Sequence, residues 1–444
     1  MQALEKHHND YYYRPGMALR PPPPRAVASD LWYQPRKNML GHWIDVRPVP
    51  AETPRTRLMA DHLWQGDEQM DAVVAAFRRI GTAKGRRMLE QALDHGIESV
   101  DGPPAELVTL FEQLDNPPEW YDPELWEYGR QLWINVSTAG KLAMGVQDFM
   151  GTFVGAEVAS ATGATGRFVN DPYRRNLETA TWFRNVTRAG GMDRWSPVFK
   201  DTVRVRLMHS QVRAGLRKSW GEEHFAHHGN PISNATMMGA AVTFGISPIC
   251  FDHTHGRPAT DAQLDAVMHY WAYIAYIFGV SETLIPRTAR AGMELADYMV
   301  ATAGVAPEWT DLMAGAATHR FAGTRLRDRA KILAAAPALG LLAYFSSEGL
   351  VRALLDSTPL RAVPVRPWDR IVGAAATFEV RLRALDDQLP GAARRMRWRA
   401  RGYDPAWRRN TQIAKALAAR VGIHGTPYDQ HDATADGVAR CPMR

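Results

Sequence analysis

"RVRLMHSQVR", residues 204–213, decides how this chain is read. At helical spacing Val205, His209, Val212 and Leu216 share one face, with Met208 beside them, while Arg206, Arg213 and Arg217 stand on the flanks. An imidazole inside an apolar stripe is costly unless its ring nitrogens are satisfied. The helix that carries it is expected from about Ser196 to Trp220.

The same period extends in both directions. Asp171–Pro172 starts a helix that Gly190 and Gly191 stop, and on it Arg175, Glu178, Thr179 and Trp182 follow i, i+3, i+4 and i+7. That face joins two ionisable groups, a hydroxyl and an indole; a simple surface salt bridge explains Arg175 and Glu178 equally well. Asp122 and Pro123 open a long apolar stretch, one helix or two broken near Gly140. Residues 67–80 and 85–97 form two short amphipathic helices joined at Gly81–Gly85. Helical periods continue through 234–249, 261–280, 289–304 and 327–355, and sustained strand alternation is absent. The expectation is an all-α fold. Residues 1–55 read as a proline-rich extended arm packed through Trp32, Tyr33 and Trp43, residues 56–420 as one helical domain, and 421–444 as a flexible tail.

Composition narrows the function. A chain of 444 residues with 45% hydrophobic and 23% charged content can bury a large core. Its net charge of +6 comes mainly from scattered arginines, without the basic clustering that nucleic acid binding needs. The start of the chain lacks a secretory pattern, and the apolar run 332–345 is broken by Pro337 and too short to span a bilayer. A cytoplasmic protein without an integral membrane anchor is expected. Two cysteines, Cys250 and Cys441, fit a reducing compartment.

HExxH, CxxC, a Walker loop and GxSxG are all missing, and the one Glu-x-x-His lies at Glu5–His8, in the arm. The histidines of "EEHFAHHG" (222–229) and "DHTHG" (252–256) read as solvent-facing or capping groups on loops near helix ends. For His209 three readings stay open: a buried neutral histidine bonded to a carbonyl, a catalytic base, or a ligand of haem iron or another metal. Arg206, Arg213 and Arg217 would suit the anionic edges of a haem, although a solvated basic flank explains them too. Trp133, Phe149, Phe153 and Trp182 are either core or the walls of an apolar channel.

The segments "RRNLETATWF", "VRVRLMHSQVR", "GNPISNATMMGAAVTFG" and "YWAYIAYIFGVSETLIP" resemble the MpaB-type oxygenases, a family that includes the latex-clearing rubber oxygenases. The resemblance implies a globin-like helical core, with additional helices around it, that holds haem b. His209 would be the proximal iron ligand, with Val205, Met208, Val212 and Leu216 against the porphyrin and Arg206 and Arg213 among the cofactor-binding residues. Arg175 and Thr179 match the distal arginine and threonine of that family, but Glu178 stands where the rubber enzymes have lysine. Glu157, the one carboxylate in "GTFVGAEVAS", matches a catalytic carboxylate before the distal helix. The implied activity is oxygenation by O2 of an apolar or aromatic small molecule other than polyisoprene, with an electron donor as a further partner. A haem carrier or sensor without turnover, a peroxide-using haem enzyme and a haem-free helical scaffold are the alternatives.

Overall fold

Helix starts in this chain are written as caps. Ser196 accepts from the Phe199 N–H and Pro197 takes the first position of the histidine helix; Asp122 accepts from the N–H groups of Glu124 and Leu125 ahead of Pro123. Ser137, with its hydroxyl bonded to the Gly140 N–H, begins a new helix, so the expected break near Gly140 falls three residues earlier. The computed structural model describes residues 11–166, 172–323, 330, 332–402, 412 and 416, with the side chains of 172–177 and 320 outside the description. The expected tail at 421–444 and the Glu5–His8 pair lie outside the described residues.

Among the described residues there are nineteen α-helices and no strand. In chain order they are α1 (Tyr33–Leu40), α2 (Pro54–His62), α3 (Glu68–Ile80), α4 (Thr82–His95), α5 (Ala105–Asp115), α6 (Pro123–Ile134), α7 (Thr138–Val154), α8 (Ala156–Ala164), α9 (Pro172–Val186) and α10 (Pro197–Trp220). There follow α11 (Glu222–His228), α12 (Asn234–Thr254), α13 (Asp261–Ile277), α14 (Ala289–Ala301), α15 (Pro307–Thr318), α16 (Ala336–Phe345), α17 (Glu348–Leu355), α18 (Trp368–Gln388) and α19 (Ala392–Arg399). The all-α expectation holds.

The centre is α12, which packs against α7, α13 and α14. It is long and apolar enough to cross a membrane by length and composition, but its neighbours cover most of it, and it serves as a core helix. Close helix crossings are made by small residues. A Cβ on Gly129 of α6 would collide with the Ala266 carbonyl of α13, and one on Gly245 of α12 would meet the Trp271 ring, so glycine at both places sets the interaxial distance. The apolar interior falls into two clusters. One gathers α3, α5, α6, α12 and α13 around Phe77, Phe111, Trp133 and Trp271; the other gathers α7, α8, α15, α16 and α17 around Phe153, Trp309 and Leu350.

The N-terminal segment is tied down along its length. Arg20 grips Asp61 through its backbone N–H (2.9 Å) and Nε (2.8 Å), Trp64 Nε1 donates to the Pro21 carbonyl (2.7 Å), and the Ser29 N–H donates to Ala301 (3.0 Å). Proline keeps residues 21–24 free of helix, but the segment is not wholly extended: Asp30–Trp32 forms a 3-10 turn that leads into α1.

His62 sits beside this clamp, fully buried, with Nδ1–H donating to the Leu58 carbonyl at 2.8 Å. Burial pushes its pKa down to about 4. An exposed imidazole titrates near 6.5, so between about 6.5 and 4 the unfolded chain binds the extra proton and the folded chain does not. Stability is then expected to fall as pH drops through that window, with His62 accounting for about 2 kcal/mol at pH 4.5. Urea unfolding at pH 7 and 4.5 measures this: the drop should shrink by that amount in His62→Gln, and an equal drop in both proteins refutes it.

Candidate functional site

Where the two apolar clusters meet, they leave a cavity of about 570 Å³. That lies within the ~300–1,000 Å³ range of small-molecule and cofactor sites. The α10 stripe forms one wall: Val205, Met208, His209 and Val212 all line it, followed by Gly215, while Leu216 turns into the second cluster. His209 is the one histidine among the described lining residues, and its ring stacks on Phe278 at 6.0 Å.

Facing groups come from several other helices and from the N-terminal segment. Thr179, Trp182 and Phe183 enter from α9, Glu157 and Ala161 from α8, Gln147 and Asp148 from α7, Met237 and Phe244 from α12, Trp271 and Ile274 from α13, and Trp32, Arg36 and Met39 from the N-terminal segment. The aromatic part is interlocked. Trp182 meets Phe278 edge-on at 5.4 Å, Phe183 meets Phe244 edge-on at 4.8 Å, and the Trp182 Nε1–H donates to Thr202 Oγ1 at 3.1 Å. These interlocked rings give that side of the cavity an apolar surface.

Glu157 is the carboxylate the structure brings to the wall with its partners defined. Arg25 Nη2 donates to its Oε2 at 2.7 Å and the Ser233 N–H to its Oε1 at 2.9 Å. A carboxylate has about four acceptor positions, so a fixed Glu157 still has lone pairs with which to accept a further hydrogen bond.

Other expected site residues lie elsewhere. Glu178 is buried, yet it is outside the described lining, whereas its neighbour Thr179 is in it. The side chain of Arg175 lies outside the described residues. Arg206 is 1% exposed and bound to the Asp67 carboxylate, the Gln113 side chain (2.7 Å) and the Ile277 carbonyl (3.1 Å). Arg213 is held by Asp71 and by the Pro231 and Ile232 carbonyls. Neither arginine reaches the cavity wall, because both point from the flanks of α10 toward the start of α3. Of the aromatic candidates Trp182 lines the cavity, Trp133 and Phe153 are core, and Phe149 is half-buried against the second cluster.

The histidines of 222–229 are not on a loop: they form α11, where His224 and His228 stack at 4.1 Å. Burial lowers both pKa values, to about 4 and about 3; the charges of His227 and Arg25 add to it at both residues, and that of His224 at His228. No group of three metal-ligating side chains occurs among the described residues.

Asp148, Arg25, Trp32 and Arg36 were missed from sequence. For Asp148 a signal existed: it is the one carboxylate in α7, a mostly apolar helix. For the others there was none, since their segment reads from the sequence as an extended, proline-rich arm.

The family model described as "ER-bound oxygenase mpaB/B'/Rubber oxygenase, catalytic domain" matches residues 126–417. The chain belongs to this family. A rubber oxygenase from Streptomyces sp. (strain K30) is 25% identical over 275 residues, which is 60% of this chain and 62% of that relative's length. Among solved structures, the latex clearing protein LCP in the closed state superposes with a TM-score of 0.52 at 18% identity, over 79% of this chain and 91% of that one. This likeness is one of fold. The match starts after the N-terminal segment and includes α7–α10 and α12–α14, which supply most of the cavity.

Proposed function

We propose that the protein is a haem-dependent oxygenase that uses O2 on an apolar or aromatic small organic molecule, with haem b as its cofactor and a separate electron donor. The observation that carries this reading is His209, a single imidazole set in an apolar wall of a cavity large enough for a cofactor. The donor set fits the group: one neutral nitrogen ligand, flanked by Val205, Met208 and Val212 as apolar packing for a wide macrocycle. His209 would hold the iron.

When bound, the haem supplies binding and activation of O2. The chain's own groups supply the rest. Thr179 presents a hydroxyl that can donate or accept within the cavity, and Glu157, fixed by Arg25 and Ser233, can take a proton from the substrate. Trp182, Phe183, Phe244 and Trp271 exclude water and offer rings against which a flat apolar substrate packs. Glu178 at the place of the rubber enzymes' lysine speaks against a polymer.

Absorption spectra of the purified protein, as isolated, after dithionite and after carbon monoxide, with a pyridine haemochrome assay, test the cofactor. A Soret band and about one haem b per chain are expected, followed by O2 uptake with oxygen recovered in product. A protein that stays colourless after haemin reconstitution overturns the reading; reversible O2 binding without product reduces it to a carrier.

A further inference from the structure

Three buried N–H donors on residues that line the cavity lack an acceptor, Trp271 Nε1 on α13 and a neighbouring pair in the N-terminal segment. Trp32 Nε1 and Arg36 Nε are buried and make no hydrogen bond, although Trp32 is 5% and Arg36 0% exposed and both residues line the cavity. They stand four residues apart where the Asp30–Trp32 turn runs into α1, so they project from one face, about one helical turn apart.

Buried donors are nearly always paired, and an unpaired one carries the full cost of its desolvation. Arg36 cannot swing to relieve that cost. Its Nη1 is bound to Asp297, and its Nη2 donates to the carbonyls of Arg47 (2.9 Å) and Pro48 (3.0 Å), so the group is held in place while Nε has no acceptor. Water is a poor substitute beside Pro35 and Met39, because a trapped water needs two to four polar partners.

We propose that Trp32 and Arg36 bind a carboxylate carried by the occupant of the cavity. A carboxylate offers acceptor lone pairs on two oxygens, enough to satisfy both donors at once. The arginines expected to meet an anionic edge, Arg206 and Arg213, are consumed by Asp67 and Asp71, so the N-terminal segment takes over that task from outside the family's catalytic domain at 126–417. The carboxylate belongs either to a haem propionate, which rests on the function proposed above, or to an acidic organic substrate.

Pairs of acid and ester separate these sources. Apoprotein is titrated with haemin and with haemin dimethyl ester; haem-loaded protein is titrated with decanoate and with methyl decanoate. Wild type should favour the acid in one pair. Trp32→Phe, which keeps an aromatic ring and removes the N–H, should cut that preference roughly tenfold, and so should Arg36→Lys, which keeps the charge facing Asp297. If Arg36→Lys does not fold, Trp32→Phe decides alone. Loss of preference in the haemin pair assigns a propionate, and loss in the decanoate pair assigns a substrate acid. Unchanged acid-to-ester ratios in both pairs overturn the proposal. If wild type binds neither haemin nor its ester, the haem reading fails separately, and the decanoate pair on the apoprotein still decides the fate of Trp32 and Arg36.

Discussion

Replacing His209 by alanine is expected to give a folded protein that no longer holds haem. His209 is half-buried on a cavity wall, not in a packed layer, and alanine is the best helix former. The far-ultraviolet dichroism should therefore match wild type, and stability should change by about 1–2 kcal/mol at most. Loss of the iron ligand itself should weaken haem binding by more than the roughly 10–100-fold typical of losing an outer partner of a metal ligand. The Soret band after haemin titration and gel filtration measures it. Added imidazole should restore part of the band by occupying the vacated ligand position. Stoichiometric, tightly held haem in His209→Ala removes the ligand assignment.

Arg206→Met is the complementary case: a large effect on stability with little on the cavity. Arg206 sits between Asp67 and the Ile277 carbonyl, and Asp67 also caps α3 by accepting from the Met70 N–H at 3.1 Å. Removing the guanidinium leaves the buried Asp67 carboxylate, 5% exposed, without its counter-charge, which typically costs about 3–5 kcal/mol. Denaturant unfolding of the apoprotein should show that loss. Adding Asp67→Asn should recover part of it, because the uncompensated charge disappears while the cap is kept. An arginine that served a haem edge would give the reverse result, with unchanged apoprotein stability and weakened haem affinity. That outcome would return Arg206 to the role its place in the sequence suggested.

The contrast between these two residues marks how far the sequence could be read. His209, Val205, Met208 and Val212 were legible because a helix repeats every 3.6 residues, so one stripe of neighbours reports one environment. Glu157 and Thr179 were legible through family resemblance, and both line the cavity. The partners of Arg206 and Arg213 were not legible, because a charge on the flank of a helix looks the same whether it meets solvent, a cofactor or a buried aspartate; Asp67 and Asp71 lie well over 100 residues earlier in the chain. Glu178 was read onto the same face as Thr179, but adjacent positions on a helix differ by about 100°, enough to move one of them out of the described wall.

The sequence by itself determined the helical class, most helix boundaries and the imidazole in its apolar stripe, because each depends on local periodicity and capping. Only the tertiary structure decided that the proline-rich arm becomes a wall of the cavity, with Trp32 and Arg36 buried in it, and that two apolar clusters leave a space where they meet. The reason is physical: backbone periodicity acts over a few residues, whereas the shape of a cavity depends on packing between segments that lie hundreds of residues apart, which no local pattern encodes.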